Sequence, residues 1–479
     1  MSEAGKLSDG TGPERRGAGD ANARAGDANT QASDANAQAE DANAQVGDVS
    51  ARAGEVNARA ARAVAPSAEL GSAASTPLDD AVKLIRATPA EAVAAFDLSA
   101  VIARIPKPGK RTDPDSRALL NGFVNPETLD AAAFDDAADL GERVFRKHLY
   151  GYLYPEAWRL IREHQRAGHR VRLVSALPEF AVAPVARTLG IEEIVAEPGA
   201  VDFAYAQGGS NPLLTNARFA TAINAKGSRG LTFHPRRAPR IRDYLRTIVA
   251  SIGLILGSLV GIARKATTRK RQAMADGLMH DATTATLAGL GVRLRVVGAE
   301  NASSPRPAVF LFNHQSQLDV IIVPKVLGGN VTGVGKQELT KHPVFGPIMR
   351  FVGVTFIDRS DTAKAKAALA PVVSTLRGGL SIAIAPEGTR SYTPGLGEFK
   401  KGAFHMAMQA GVPVIPVVIR NAGEIMWRDS PIGRSGVVDV AILPPIDVSA
   451  WKPSELDRNV AAVRNVFEDT LLSWPTDLT

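Results

Sequence analysis

The alternation of short apolar runs with helix-period segments predicts an α/β protein built from two folded regions. Three observations carry this expectation. Residues 291–446 alternate strand and helix across seven candidate strands, residues 76–234 show a shorter version of the same order, and residues 1–75 carry a low-complexity repeat instead. A chain of 479 residues with 45% hydrophobic content is long enough to bury more than one core. These shifts divide the chain into 1–75, 76–235, 236–290 and 291–479.

Residues 19–60 repeat a seven-residue unit six times, from Gly19-Asp20-Ala21-Asn22-Ala23-Arg24-Ala25 to Gly54-Glu55-Val56-Asn57-Ala58-Arg59-Ala60. A heptad period invites a coiled coil. Almost every apolar position is Ala, however, and recurring Gly, Asp and Asn lower helix propensity, so a seam would bury little surface. Disorder is the expectation, and no chemistry is assigned to this segment.

The next region reads as a helix over 78–86, a strand over 92–98, a helix over 155–167 and a buried strand over 170–175. Its local segments are Phe96-Asp97-Leu98-Ser99-Ala100-Val101, Tyr154-Pro155-Glu156-Ala157, Gly168-His169-Arg170-Val171 and Val174-Ser175-Ala176. In this order they resemble the haloacid dehalogenase phosphatases, especially the phosphoserine-phosphatase-like members. That resemblance implies a nucleophilic Asp at 97, a second Asp two residues on and a later pair of metal-binding carboxylates. Ser99 stands at the second position, and Gln207-Gly208-Gly209-Ser210-Asn211-Pro212 offers no carboxylate. Without these groups a magnesium ion lacks hard oxygen ligands and the leaving group lacks an acid. Asp97 and Ser175 are therefore expected to be remnants in an incomplete phosphatase-like domain.

Residues 247–263 form a charge-free apolar run of 17 residues. Arg236, Arg237, Arg240, Arg242 and Arg246 precede it, and Arg264, Lys265, Arg269, Lys270 and Arg271 follow. The run is barely long enough to cross a bilayer, and cations at both ends disfavour a simple crossing. A shallow or re-entrant helix on an anionic inner leaflet fits better. Gly253, Gly257 and Gly261 recur every fourth residue, which predicts close approach of a second helix over 274–290.

From 291 onward, strands are predicted over 294–297, 308–312, 331–335, 353–357, 380–385, 412–419 and 437–443. Helices are predicted over 317–327, 343–351, 362–377 and 403–410. A sheet between helix layers follows. A last helix over 454–474 is expected across the sheet's edge.

Charge and composition narrow the chemistry. A net charge of +7 and a pI near 9.6 suggest an anionic partner. Only 5% of residues are aromatic, which argues against stacking platforms for single-stranded nucleic acid. The basic residues gather around the apolar run, where anionic lipid explains them better than nucleic acid does. With no cysteine, thiolate nucleophiles, disulfides and cysteine metal sites are excluded. The N-terminus lacks the apolar core of a secretory signal, so the cytoplasmic face of the cell membrane is the expected location.

Just past the 308–312 run stands Phe312-Asn313-His314-Gln315-Ser316-Gln317-Leu318-Asp319. An imidazole can take a proton from a hydroxyl near neutral pH, and a carboxylate five residues on can orient it, leaving the far ring nitrogen free. The same residues admit a second reading, because Ser316 with Asp319 is a capping-box-like pattern at the start of an apolar helix. That alternative does not account for Asn313-His314, nor for Pro386-Glu387-Gly388-Thr389-Arg390-Ser391 at the end of the 380–385 run.

Together the two motifs resemble those of the glycerolipid acyltransferases, the family that includes 1-acyl-glycerol-3-phosphate acyltransferase. The resemblance implies direct acyl transfer from acyl-CoA or acyl carrier protein to a lysophospholipid, most simply lysophosphatidate to phosphatidate. His314 and Asp319 are then the catalytic pair and Asn313 part of the substrate site. Arg359, in Gly353-Val354-Thr355-Phe356-Ile357-Asp358-Arg359, is implied to bind the acceptor's phosphate, and Glu387, Gly388, Thr389 and Arg390 to serve the acceptor site. A guanidinium suits bidentate phosphate binding, and a glycine lets backbone approach a ligand. Lys401, in Phe399-Lys400-Lys401-Gly402-Ala403-Phe404, is a second phosphate contact on the same grounds. Val412-Pro413-Val414-Ile415-Pro416-Val417 matches a further family motif that shapes the strand and channel, and Val334-Gly335-Lys336-Gln337-Glu338-Leu339 one near the acceptor site. No metal and no cofactor beyond the acyl donor are expected. The rival readings are a bifunctional protein with phosphatase activity and a non-catalytic membrane scaffold.

Overall fold

In the N-terminal lobe the run Val-Ala-Ala-Phe-Asp forms β1 (Val93–Asp97), a strand apolar on both faces, as expected for the middle of a parallel sheet. It is joined by β2 (Arg170–Val174), β3 (Glu193–Val195), β4 (Val201–Gln207) and β5 (Ala217–Ile223) in the order β3-β2-β1-β4-β5, every pair parallel. The computed structural model describes residues 77–475 apart from 209, 226–229, 236–238, 304, 342, 344, 358–368, 392–394 and 429. The heptad repeats therefore lie outside the described residues. The helices of this lobe are α1 (Pro77–Arg86), α2 (Pro114–Gly122), α3 (Ala137–Val144), α4 (Pro155–Arg166) and α5 (Glu179–Leu189). α4 opens on proline, whose fixed φ suits a first helical turn, and buries Ala157, Trp158, Leu160 and Ile161. Gly168, at φ 81°, then turns the chain directly into β2. Phe96 of β1 stacks on Tyr205 of β4 with ring centroids 4.4 Å apart.

The apolar run folds into α6 (Ile241–Ala266), which at 26 residues is longer than the charge-free core and about 39 Å long. α7 (Arg271–Leu290) returns antiparallel against it, as the glycine spacing predicts. A Cβ at Gly253 would lie 3.0 Å from the Ala285 carbonyl oxygen and one at Gly257 2.6 Å from that of Asp281. At Gly261 it would overlap the Gly277 carbonyl. Not all of the flanking cations are free for lipid. Arg246 donates to Ser435 Oγ at 2.6 Å, Arg264 pairs with Asp281, and Arg271 donates to the Arg350 and Phe351 carbonyls.

The C-terminal lobe is a seven-stranded sheet. Its strands are β6 (Val292–Val297), β7 (Val309–Phe312), β8 (Val331–Lys336), β9 (Thr355–Ile357), β10 (Ser381–Ile384), β11 (Val414–Ile419) and β12 (Gly436–Ile442). The order is β6-β12-β11-β7-β10-β8-β9, parallel throughout except for the antiparallel β11–β12 pair. All seven expected strands are present, most of them shifted by one or two residues. Around the sheet lie α8 (Asp319–Leu327), α9 (Phe345–Phe351), α10 (Leu369–Arg377), α11 (Gly402–Ala410) and α12 (Leu456–Leu472). β7 shows why both faces are covered: Val309 and Leu311 join one core while Phe310 and Phe312 join the other, following the two-residue period of a strand.

α12 corrects one expectation. Its buried stripe of Leu456, Val460, Val463, Phe467 and Leu471 packs on β11, an interior strand, so the helix covers a face of the sheet and not its edge. A helical apolar stripe gains more burial on a sheet face than beside a strand edge. One continuous core runs from Phe96 and Leu160 of the N-terminal lobe into Val309, Phe404 and Phe467 of the C-terminal lobe.

Candidate active site

The site forms where β7 and its neighbours β10 and β11 release their loops. Asn313, fully buried, completes the β7–β11 pairing with its side chain: Nδ2 donates to the Ile419 carbonyl at 2.8 Å and Oδ1 accepts from Ile419 N at 2.7 Å. This fixes the strand exit and leaves His314 as the next residue. The His314 ring is partly exposed, with Nδ1 2.8 Å from Asp319 Oδ2, while Asp319 is fully buried. The same Oδ2 accepts from the backbone N–H groups of Gln315 and Ser316, each at 2.8 Å. Asp319 thus holds the amides of the loop that precedes α8 and orients the imidazole with a single oxygen. The helix itself is capped at Leu318 without a side-chain bond, so Ser316 and Asp319 brace the loop and do not form a capping box.

Ser316 takes a role that the sequence reading does not assign. Its Oγ donates to the Met426 carbonyl at 2.7 Å and accepts from Leu318 N at 3.0 Å, fastening the loop to the segment after β11. Nothing in the local sequence points to Met426 as its partner.

Glu387 follows β10 and is almost fully buried. Its Oε1 accepts from His314 N and its Oε2 from Gly397 N, each at 2.7 Å. Burial pushes its carboxyl up to about 7, against the two N–H donors and the nearby imidazole, which favour the charged form. Both oxygens are turned to the protein's own backbone. Gly388 adopts φ 71° in a turn closed by its N–H on the Ala385 carbonyl, and Ser391 N donates to the His314 carbonyl at 2.7 Å. The 386–391 segment is therefore bonded to His314 through both backbone groups of that residue. Arg390 donates to the Arg428 carbonyl, and Arg428 lies 3.4 Å from Thr389 Oγ1.

The structure brings Asn313, His314, Asp319, Glu387, Gly388, Thr389 and Arg390 together. Lys401 instead pairs with Asp457 at 2.6 Å, and its neighbour Lys400 lies over the turn, with Nζ 3.3 Å from where a Cβ at Gly388 would stand. Arg359 lies outside the described residues. The segment 334–339 spans the end of β8 and a 3₁₀ turn, Gln337–Lys341.

In the N-terminal lobe, Asp97 ends β1 and caps a single helical turn, Leu98–Val101. Its Oδ1 accepts from Ser99 N at 2.9 Å and from the Ser99 hydroxyl, and Ser99 Oγ in turn accepts from Gln207 N at 3.2 Å. Ser175 Oγ accepts from Leu177 N. Among the described residues no group of three or more His, Asp or Glu side chains is placed to hold a metal ion.

A strand-exit histidine bonded to a buried carboxylate, with a second loop bonded to that histidine's backbone, is an arrangement able to take a proton from a hydroxyl. The chain belongs to the acyltransferase family, which it matches over residues 293–420, and it carries a haloacid dehalogenase-like hydrolase region over 75–238. It is 36% identical over 189 residues to the 1-acyl-sn-glycerol-3-phosphate acyltransferase of Salmonella typhimurium, covering 39% of this chain and 75% of that protein. To the 1-acyl-sn-glycerol-3-phosphate acyltransferase alpha of Ovis aries it is 34% identical over 188 residues, covering 39% of this chain. The chain spans 66% of the length of that sheep relative. Among solved structures, the 1-acyl-sn-glycerophosphate acyltransferase of Thermotoga maritima is a distant likeness, with 24% identity, a TM-score of 0.43, and coverage of 49% of this chain and 97% of its own.

Proposed function

We propose that this protein is a membrane-associated O-acyltransferase that moves a fatty acyl group from acyl-CoA or acyl carrier protein to the hydroxyl of a lysophospholipid, with lysophosphatidate as acceptor and phosphatidate as product. The observation that carries the reading is the 2.8 Å bond from His314 Nδ1 to a buried Asp319, in a chain whose relatives are named for this reaction. With Nδ1–H donated to Asp319, Nε2 is the acceptor nitrogen. It takes the acceptor's hydroxyl proton as that oxygen attacks the thioester carbonyl carbon. On collapse the carbon–sulfur bond breaks, and the leaving thiolate receives the proton from the imidazolium. Asp319 balances the imidazolium charge, as the carboxylate of a serine-protease triad does.

Arg359, Arg390 and the Gly388-Thr389 turn serve the acceptor's phosphate, where a guanidinium binds two oxygens at once. Lys401 joins them only by exchanging Asp457, whereas Lys400 already faces the turn. α6 supplies the membrane contact: Leu245, Ile248, Ile252, Leu256 and Leu259 are each at least half exposed on the face away from α7. It is long and apolar enough to cross a membrane by length and composition. Its basic flanks favour the anionic cytoplasmic leaflet.

The test is transfer of labelled acyl groups from acyl-CoA to a panel of lysolipids. His314→Ala is expected to lower kcat by roughly 10²–10⁴-fold without changing the melting temperature. Full activity in this variant overturns the mechanism.

A further inference from the structure

We infer that the haloacid dehalogenase-like lobe acts as a clamp that positions the His314 loop of the acyltransferase lobe, by two separate chains of contacts. The first begins at Arg162 on α4, which pairs with Glu468 on α12. Glu468 is buried, and its second oxygen pairs with Arg464 Nη1 at 3.1 Å. Arg464 then spends its other donors on the loop beside the site, Nε to the Gly397 carbonyl at 3.1 Å and Nη2 to the Leu396 carbonyl at 3.0 Å. Gly397 N holds Glu387 Oε2, and Glu387 Oε1 holds His314 N, each at 2.7 Å. Five residues thus link a helix of one lobe to the backbone of the proposed base in the other. Phe467, next to Glu468, packs edge-on against Phe399 at 5.2 Å and fixes the height of the relay over the loop.

The second chain begins at Gly151 and Tyr152. A Cβ at Gly151 would lie 3.6 Å from the Trp427 ring, and the Tyr152 ring meets Trp427 at 6.5 Å between centroids. Trp427 sits between the two residues whose carbonyls fasten the site: Met426, which accepts from Ser316 Oγ, and Arg428, which accepts from Arg390. Arg434 lies over the Trp427 ring at 4.4 Å. Tyr152 is itself tied to the segment after Asp97, since Ala103 N donates to the Tyr152 carbonyl at 2.8 Å. The two carboxylates of the polar chain, Glu468 and Glu387, are buried, while Arg162 and Arg464 are partly exposed, so the bonds at the carboxylates act in the lower dielectric. Arg162, Glu468, Arg464, Tyr152 and Trp427 are positioning residues, and none of them is placed at the reacting atoms.

The kinetic half of the test rests on the proposed acyl transfer, and the exchange half does not. Hydrogen–deuterium exchange on the full chain is followed in residues 312–319 and 387–400, with 93–97 and 170–174 as an internal reference for the N-terminal sheet. In Arg162→Ala, exchange over 387–400 is expected to rise about tenfold with the reference strands unchanged. Tyr152→Ala is expected to raise exchange over 312–319 in the same way. For acyl transfer, Arg162→Ala should lower kcat about tenfold with KM unchanged, and Arg162→Lys should restore most of it. Parental exchange in both segments of folded Arg162→Ala and Tyr152→Ala overturns the clamp. A parent inactive on every acceptor would refute the proposed function while exchange still decides the clamp.

Discussion

Asp319 Oδ2 receives three donors, the backbone amides of Gln315 and Ser316 and one imidazole nitrogen, so a single oxygen both shapes the loop ahead of α8 and orients the ring. Glu387 is the residue whose role depends most on its surroundings. The folded chain raises its carboxyl from the ordinary value of 4.5 to about 7, so between those values the folded state keeps a proton that the unfolded chain has released. The stability this group contributes is full below about 4.5 and is lost as pH rises through about 7. Measured against Glu387→Gln by denaturant titration, the parent should lose on the order of 1 kcal/mol per pH unit across that window. A difference independent of pH would mean that the His314 and Gly397 amides keep the carboxylate charged throughout.

At the scale of elements, the α6–α7 hairpin separates two kinds of residue on one helix. Ala250, Gly257, Ser258 and Gly261 face α7 and are buried, while the large aliphatic residues face outward. A side chain at Gly261 meets the Gly277 backbone, which cannot swing away as a flexible side chain could, so Gly261→Leu is expected to cost more than about 3 kcal/mol. The combination Ile252→Gln, Leu256→Gln and Leu259→Gln should leave the melting temperature unchanged and release the protein from anionic vesicles in flotation. Unchanged flotation would remove α6 as the membrane contact. The hairpin was legible because small residues at every fourth position have few uses besides close helix packing. The length of α6 was not, since its first and last turns carry charges that a hydropathy reading excludes.

For the whole molecule, the two lobes share a core, yet their sites are unequal. Asp97 is bonded to Ser99, where a second carboxylate would stand in an active phosphatase, and we expect no catalysis there. Magnesium-dependent phosphate release from small phosphomonoesters should not exceed background, in the parent or in Asp97→Asn; release that this substitution abolishes would reverse the assignment. The lobe's β4 and β5 escaped the sequence reading because the surrounding segment carries no motif and its turns are irregular. The position of α12 also escaped it, because an apolar stripe reports that a face is buried but not which surface buries it.

The sequence by itself determined the α/β class, the strands of the acyltransferase lobe, the helical hairpin and the His314–Asp319 pair, because each is a local pattern of apolar period, small-residue spacing or five-residue separation. Tertiary structure alone decided that Glu387 holds the His314 backbone, that Lys401 faces Asp457 while Lys400 faces the turn, and that Arg162 reaches the site through Glu468 and Arg464. Those links join residues far apart in the chain, and hydrogen-bond partners at such separations are chosen by packing geometry, which leaves no local signature.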